Sequence, residues 1–499
     1  MFKIHSSQVR WGSRSCPESV KATGAAPAIA LSPHPKRWAA AVVMIPAALL
    51  DVIDGSIINT ALPSIGRGLG ATPAELQWTV SAYLLGFAAT LIVAGHLGDR
   101  FGRKGLFLAG LAGFAVSSLA GAVAAGPDQL IVARAAQGVA AAVIMPQVLG
   151  SLRVLFTGAE RGKVFAIYGA IAGLAMAAGV VLGGVLTDWN LFGWGWRTIF
   201  AINVPLAAVL IVLGALWIPA ARDHGPGRVG VVRAGALALS LAAIVLPLVQ
   251  GRSVGWSLWG WLRLGAGVAG LAGLAKWQQV LDEQRPMLPS GLFVSRVFVA
   301  GLVVQLLFCG AMSGFMLILT IWLQSGQGYS PARAGLLMVA FSVGTFLAAP
   351  MVDGLVARFG RGVPAAGGLI LVGGLCWVVR ATGHVCTHAA AWPLVPGLLV
   401  AGTGLGLMVI PLADIMLTAV PEDLAGVASG VFITAQQFGG ALGVAVIGNA
   451  FFARVGAGHG DAIGRAGQWS VVACAACAVL CRVITCAAII PRAEADHAG

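Results

Sequence analysis

Charged residues are scarce in this chain. Only 10% of its 499 residues are Asp, Glu, Lys or Arg, whereas 58% are hydrophobic and 70 are glycine. Soluble domains carry about 25% charged residues, so this composition excludes a water-soluble fold of this length. Small residues such as glycine let membrane helices approach one another closely. The composition therefore predicts an all-α membrane protein.

The sequence also lacks the motifs of common enzyme classes. It contains no HExxH zinc motif, and Gly162-Lys163 is followed by Val164 rather than by the Ser or Thr of a phosphate-binding loop. The segments between apolar runs are too short for a soluble catalytic domain. We therefore expect neither an enzyme nor a site for a metal or cofactor. A receptor or scaffold that does not transport stays open as an alternative.

Apolar runs long enough to cross a bilayer, about 20 residues each, occur fourteen times. They predict fourteen transmembrane helices near residues 39–61, 77–98, 105–125, 130–152, 164–187, 198–218, 232–251, 257–277, 297–321, 334–357, 363–382, 391–415, 427–450 and 468–490. The predicted domains are a disordered cytoplasmic tail (1–37), an N-terminal six-helix half (38–218), two inserted helices (219–285), a C-terminal six-helix half (286–490) and a cytoplasmic tail (491–499).

The net charge of +13 is explained by topology rather than by nucleic-acid binding. If the N-terminus lies inside, the predicted inner segments hold more than twice as many Lys and Arg residues as the outer ones. Cytoplasmic loops of membrane proteins carry such an excess. We therefore predict a multi-pass protein of the inner (plasma) membrane with both termini in the cytoplasm.

An internal repeat supports the division into halves. Arg-Phe-Gly-Arg begins at Arg100, after the second predicted span, and again at Arg358, after the tenth. Each copy follows the second span of a six-span set. Parallel repeats of this kind place a substrate path at their interface, near the bilayer midplane.

Two acids lie within the first predicted span. Asp51 and Asp54 are three residues apart and therefore share one helix face. A charged Asp at the centre of a membrane helix costs about 2.5–3.5 kcal/mol on insertion scales, so neither is expected to face lipid. An acid that alternates between a neutral and a charged form suits proton coupling. A structural pair, hydrogen-bonded to neighbouring helices, is the alternative.

The motifs along the chain resemble those of the major facilitator superfamily, in particular its fourteen-span drug:proton antiporters. The resemblance rests on Leu50–Pro63 (LDVIDGSIINTALP), on Ala82-Tyr83-Leu84, on Arg134, Gln137 and Gly138, on Asn203-Val204-Pro205, and on the loop residues Gly95, Asp99, Arg100, Gly102, Arg103 and Lys104. The fifth span keeps the motif glycines Gly179, Gly183 and Gly184, but Val180 stands where that family has proline.

The resemblance implies roles for these residues. Arg134 is expected to take part in proton handling with Gln137, although snorkelling to the membrane interface is an alternative. The segment from Gly95 to Lys104 is expected to act as a conformational latch at the cytoplasmic face. Other polar residues available to line a cavity are Asn59, Tyr83, Asn203, Gln305, Gln324, Gln436 and Gln437.

Together these features predict a secondary transporter that exports drugs or other amphipathic small molecules by alternating access, with the proton gradient as its energy source. Its expected partners are the substrate, protons and the lipid bilayer. The sequence gives no adaptor or outer-membrane partner. A dedicated metabolite exporter or an importer of the same fold stays open, because Val180 departs from the antiporter motif.

Overall fold

A computed structural model describes residues 35–219, 231–250, 258–281, 291–360, 362–382, 392–421 and 424–455, together with Val479. These residues form helices and the turns that join them. The helices are α1 (Arg37–Leu69), α2 (Pro73–Phe101), α3 (Arg103–Ala122), α4 (Pro127–Leu155), α5 (Gly158–Trp189), α6 (Thr198–Ala201), α7 (Asn203–Trp217), α8 (Val231–Gln250), α9 (Leu258–Leu281), α10 (Gly291–Val294), α11 (Arg296–Ile321), α12 (Pro331–Phe359), α13 (Gly362–Thr382), α14 (Leu394–Thr418) and α15 (Ala425–Val455).

The predicted all-α membrane class is confirmed. Eleven helices of the described part are long and apolar enough to cross a membrane. Helices occupy the first thirteen predicted spans, and α6 and α7 share the sixth. Apart from Val479, the fourteenth, at 468–490, lies outside the described residues, as do residues 1–34 of the first predicted tail and all of the second. The count of fourteen and the domain boundaries therefore stay predictions.

The repeated motif has the same backbone role in both copies. Gly102 separates α2 from α3 with φ 91°, and Gly360 separates α12 from α13 with φ 55°. Both values lie in the region that residues with a side chain rarely adopt. The glycine of Arg-Phe-Gly-Arg thus lets one span end and the next begin without a long loop, at matching places in the two halves.

The inserted helix α8 packs against both halves, and α9 packs against α8. Leu85 of α2, Val245 of α8 and Ala445 of α15 belong to one hydrophobic cluster. The side chain of Asn449 in α15 also donates a hydrogen bond to the carbonyl of Leu248 in α8. Helix α8 therefore lies along the seam where α2 of the first half meets α15 of the second.

The halves meet at the end of the bundle where α1 ends and α2 begins, hereafter the α1–α2 end. Gln324 after α11 donates to the carbonyl of Thr60 in α1 at 2.7 Å. Asp188 in α5 accepts from the backbone of Ala332 in α12 at 3.0 Å. A Cβ at Gly335 in α12 would lie 2.6 Å from the carbonyl oxygen of Val180. These contacts close the bundle at the α1–α2 end.

Candidate functional site

Asp54 lies at the centre of a buried polar cluster in the N-terminal half. Its side chain is 1% exposed and forms an ion pair with Nη1 of Arg134. Its other carboxylate oxygen accepts from Nε2 of Gln137 at 2.8 Å and from Nδ2 of Asn203 at 3.1 Å. Helices α1, α4 and α7 thus converge on one carboxylate.

Arg134 is held by the cluster and does not reach the membrane interface. Its Nε donates to the carbonyl of Thr79 at 3.2 Å, and Nη1 also donates to Oε1 of Gln137 at 2.7 Å. The guanidinium carbon lies 4.2 Å from the ring centre of Tyr83. Because its side chain is 1% exposed, the alternative of snorkelling is wrong.

The members of the cluster hydrogen-bond to one another although they lie inside an apolar bundle. Gln137 donates to both Asp54 and Ser118, the latter at 2.9 Å, and so extends the network to α3. A buried ion pair offsets its desolvation only when further hydrogen bonds satisfy the remaining lone pairs and protons. Here the guanidinium, the carboxylate and the amide all have partners, which offsets part of the cost of burying them.

The loss of Arg134 should therefore destabilise the fold. Arg134→Met leaves the carboxylate of Asp54 buried without its cation, and breaking a buried pair in this way costs about 3–5 kcal/mol. We expect a lower midpoint of thermal unfolding in detergent. Arg263→Met on the exposed face of α9 is the matched control. Equal midpoints for the two variants would contradict the structural importance of the pair.

Asp51 lies one turn before Asp54 but belongs to a different set of contacts. It is partly exposed and accepts a hydrogen bond from the hydroxyl of Tyr83. No hydrogen bond described for it joins the Arg134 cluster directly. The structure thus brings together the predicted residues Asp54, Arg134 and Gln137 and places Asp51 beside them.

The predicted conformational loop lies at the other end of α2. Arg100 is exposed, Arg103 lies against Gly150 of α4, and Nζ of Lys104 donates to the carbonyl of Ala215 at 2.7 Å. The side chain of Asp99 is outside the described part. The prediction of a loop is wrong in its extent, because Gly95 to Phe101 lie in α2, Arg103 and Lys104 lie in α3, and only Gly102 lies between the helices. The segment begins at Gly95, twelve residues after Tyr83, or roughly 18 Å along the helix. It is therefore separate from the acid cluster.

The glycines predicted as the helix-5 motif mark two close helix contacts. A Cβ at Gly183 would lie 2.6 Å from the carbonyl oxygen of Ile57, and one at Gly179 would lie 2.9 Å from that of Ile53. Gly184 faces α12 instead, where a Cβ would lie 2.5 Å from the carbonyl oxygen of Pro331. These glycines let α5 pack closely against α1 and against the second half.

Sequence reasoning missed two members of the cluster, Ser118 and the carbonyl of Thr79. It named Asn203 only as a residue available to a cavity. The signal for Ser118 was weak: two serines inside the apolar run of α3, one of which bonds to its own helix. A backbone carbonyl such as that of Thr79 leaves no signal in the sequence.

Comparison with known proteins identifies the family. The model of the Major Facilitator Superfamily matches residues 44–444. The chain is 37% identical to a probable actinorhodin transporter of Streptomyces coelicolor, over 85% of this chain and 74% of that one. It is 32% identical to a tetracenomycin C resistance and export protein of Streptomyces glaucescens, over 84% and 77%.

A solved structure supports the fold. The xylose transporter XylE of E. coli, in an inward-open conformation, matches 92% of this chain and 98% of its own length, with a TM-score of 0.62 and 15% identity. This likeness concerns the fold alone. Together with the family match over most of the chain, it confirms the resemblance predicted from the motifs. The chain belongs to the major facilitator superfamily of membrane transporters.

Proposed function

We propose that this transporter exports amphipathic small molecules in exchange for protons. The observation that carries the proposal is the buried pair of Asp54 and Arg134 inside a membrane-spanning bundle. Ionisable residues within membrane spans are costly and mark ion or substrate paths by default. Proton coupling needs a carboxylate that can pair with a cation of the protein at one stage and bind a proton at another.

The relatives support export as the direction. One is described as a tetracenomycin C resistance and export protein and another as a probable actinorhodin transporter. The departure at Val180 is compatible with this direction. Its carbonyl accepts a hydrogen bond from Thr60 at 3.2 Å, a bond that the motif proline could also accept because proline keeps its carbonyl. The three motif glycines keep the helix contacts.

The proposed topology places the α1–α2 end outside and both termini in the cytoplasm of the cell, in the plasma membrane. The excess of Lys and Arg in the predicted inner segments supports this orientation. The closed α1–α2 end then seals the site from the outside. In the proposed cycle, the conformation in which Asp54 contacts Arg134 follows release of the proton.

The cycle that we propose needs one proton for each substrate. A proton from the outside neutralises Asp54, releases Arg134 and thereby weakens the binding of a cationic or polar substrate. Substrate that binds from the inside then restores the charged form of Asp54. For an uncharged substrate the exchange moves one net charge, which through 100 mV supplies about 2.3 kcal/mol and supports roughly a fortyfold substrate gradient at 1.4 kcal/mol per decade. Exchange of a monovalent cation for one proton moves no net charge and is driven by the pH difference alone.

A transport assay tests the proposal. Everted membrane vesicles with the protein are energised, and uptake is followed for a panel of lipophilic cations, neutral antibiotics and small metabolites. We expect uptake of several amphipathic compounds that stops when a protonophore is added. Uptake of one metabolite alone would indicate a dedicated exporter. Movement only out of everted vesicles would indicate an importer and contradict the proposal.

A further inference from the structure

Tyr83 of α2 contacts both charged sites of the N-terminal half. Its hydroxyl donates to the carboxylate of Asp51, and its ring lies under the guanidinium of Arg134, at 4.2 Å from the ring centre to the guanidinium carbon. Arg134 in turn pairs with Asp54. A single side chain thus connects the two acids of α1, which share no direct hydrogen bond in the described contacts.

The position of Tyr83 is fixed by close helix packing. Its side chain is 1% exposed. On α4, Gly138 approaches the backbone of Tyr83 so closely that a Cβ there would lie 2.9 Å from its carbonyl carbon. Gly86, one turn further along α2, would place a Cβ 2.5 Å from the carbonyl oxygen of Ala135. The tyrosine therefore cannot move away from α4 without separating the two helices.

The two acids differ in access. Asp51 is partly exposed, whereas Asp54 is 1% exposed and has three partners on other helices. Asp51 is therefore the more accessible of the two carboxylates. The charged and titratable groups around Tyr83 are Asp51, Asp54 and Arg134, and Tyr168 of α5 interacts electrostatically with Asp51.

We propose that Asp51 receives the cationic group of the substrate and that Tyr83 is the positioning residue that transmits this event to the Arg134–Asp54 pair. The inference rests on the proposed function. Positive charge added at Asp51 stabilises negative charge on Asp54 one turn away, because like charges at this spacing repel. A cation at Asp51 thus favours a proton-free Asp54. Exchange requires this direction of coupling, because binding of the substrate has to promote release of the proton.

The substitution Tyr83→Phe tests the hydroxyl alone, because phenylalanine keeps the ring under Arg134. The probe is the lipophilic cation tetraphenylphosphonium, whose binding to the purified protein in detergent is measured between pH 5 and about 9. The readout is the pH at which binding is half of its alkaline maximum. An ionised Asp51 that loses its donor takes up a proton more readily. We expect this pH to rise by about one to two units, the size of one hydrogen bond to a charged group.

A double-mutant cycle separates this role from a purely structural one. Asp51→Asn alone should weaken binding of the cation, and in that background Tyr83→Phe should not shift the pH profile of the binding that remains. Tyr329→Phe at the turn between α11 and α12 makes the same chemical change elsewhere and should leave the profile unaltered. An unchanged profile in Tyr83→Phe, or an equal shift with and without Asp51, would overturn the inference. Because binding is measured without a gradient, failure of proton-driven export in vesicles would be recognised separately.

Discussion

Asp54→Asn is expected to reduce proton-driven transport to the level of membranes that lack the protein. Asparagine has nearly the same size but cannot take up or release a proton. The site would stay neutral at every pH, so substrate binding and proton binding could no longer alternate. The charge of Arg134 would also lose its counterion, which should lower stability. Uptake into everted vesicles, normalised to the amount of folded protein, measures the effect.

Asp414→Asn is the matched control for this substitution. Asp414 also lies in a long apolar helix, but its side chain is exposed. We expect it to retain transport, since the loss of an exposed carboxylate removes no partner of the cluster. Full proton-driven uptake by Asp54→Asn would show that the proton is carried elsewhere.

Gly184→Ala is expected to open the α1–α2 end. The added Cβ would lie 2.5 Å from the carbonyl oxygen of Pro331 and 2.6 Å from Cα of Ala332. Both are backbone atoms of α12, so they cannot rotate away as a side chain could. Overpacking of this kind costs about 1–3 kcal/mol, which shifts an equilibrium between two conformations by roughly 5- to 150-fold. Transport should fall because the cycle requires the closed state.

The opening can be measured with a cysteine at a site that the closure buries. Gln77 of α2 is 1% exposed and lies against Gly448 of α15. In a variant freed of native cysteines, Gln77→Cys should react faster with a membrane-impermeant thiol reagent when Gly184→Ala is present. Gly169→Ala on the same helix is the control, because a Cβ there meets open space. Equal reactivity of Gln77→Cys with and without Gly184→Ala would show that Gly184 does not control closure.

The sequence predicts the helices well because the membrane imposes a strict rule. A spanning segment must be apolar and long enough to cross the hydrocarbon layer. Apolar runs of that length therefore predict helices such as α1 and α12. The repeated Arg-Phe-Gly-Arg predicts the two halves because it marks a helix break at the same place in each. A helix break without a loop needs a glycine at positive φ, and Gly102 and Gly360 supply it.

The centre of the site could be predicted only in part. Asp54 and Arg134 stand out because charges are rare inside apolar runs. Their pairing, however, joins residues 80 positions apart and depends on how α1 and α4 are rotated. The motif resemblance brings the two residues into one site, whereas hydropathy alone does not.

The contacts of Tyr83 could not be predicted at all. Its sequence position indicates a polar group on α2, but its contact with Arg134 depends on the close approach that Gly138 permits between α2 and α4. Its contact with Asp51 depends on how α1 and α2 are rotated. Glycines in an apolar helix are common in membrane proteins, so this one carries no signal by itself. The distinction between the partly exposed Asp51 and the enclosed Asp54 likewise follows only from the packing of α4 and α7 around Asp54.

The most direct test of proton-coupled exchange uses purified protein in liposomes loaded with a transported cation and no initial pH difference. Outward movement of the substrate is predicted to drive protons inward and to acidify the interior. The same liposomes with Asp54→Asn are predicted to show no pH change. Proton movement in the same direction as the substrate, or substrate movement without any proton movement in the wild type, would contradict the account.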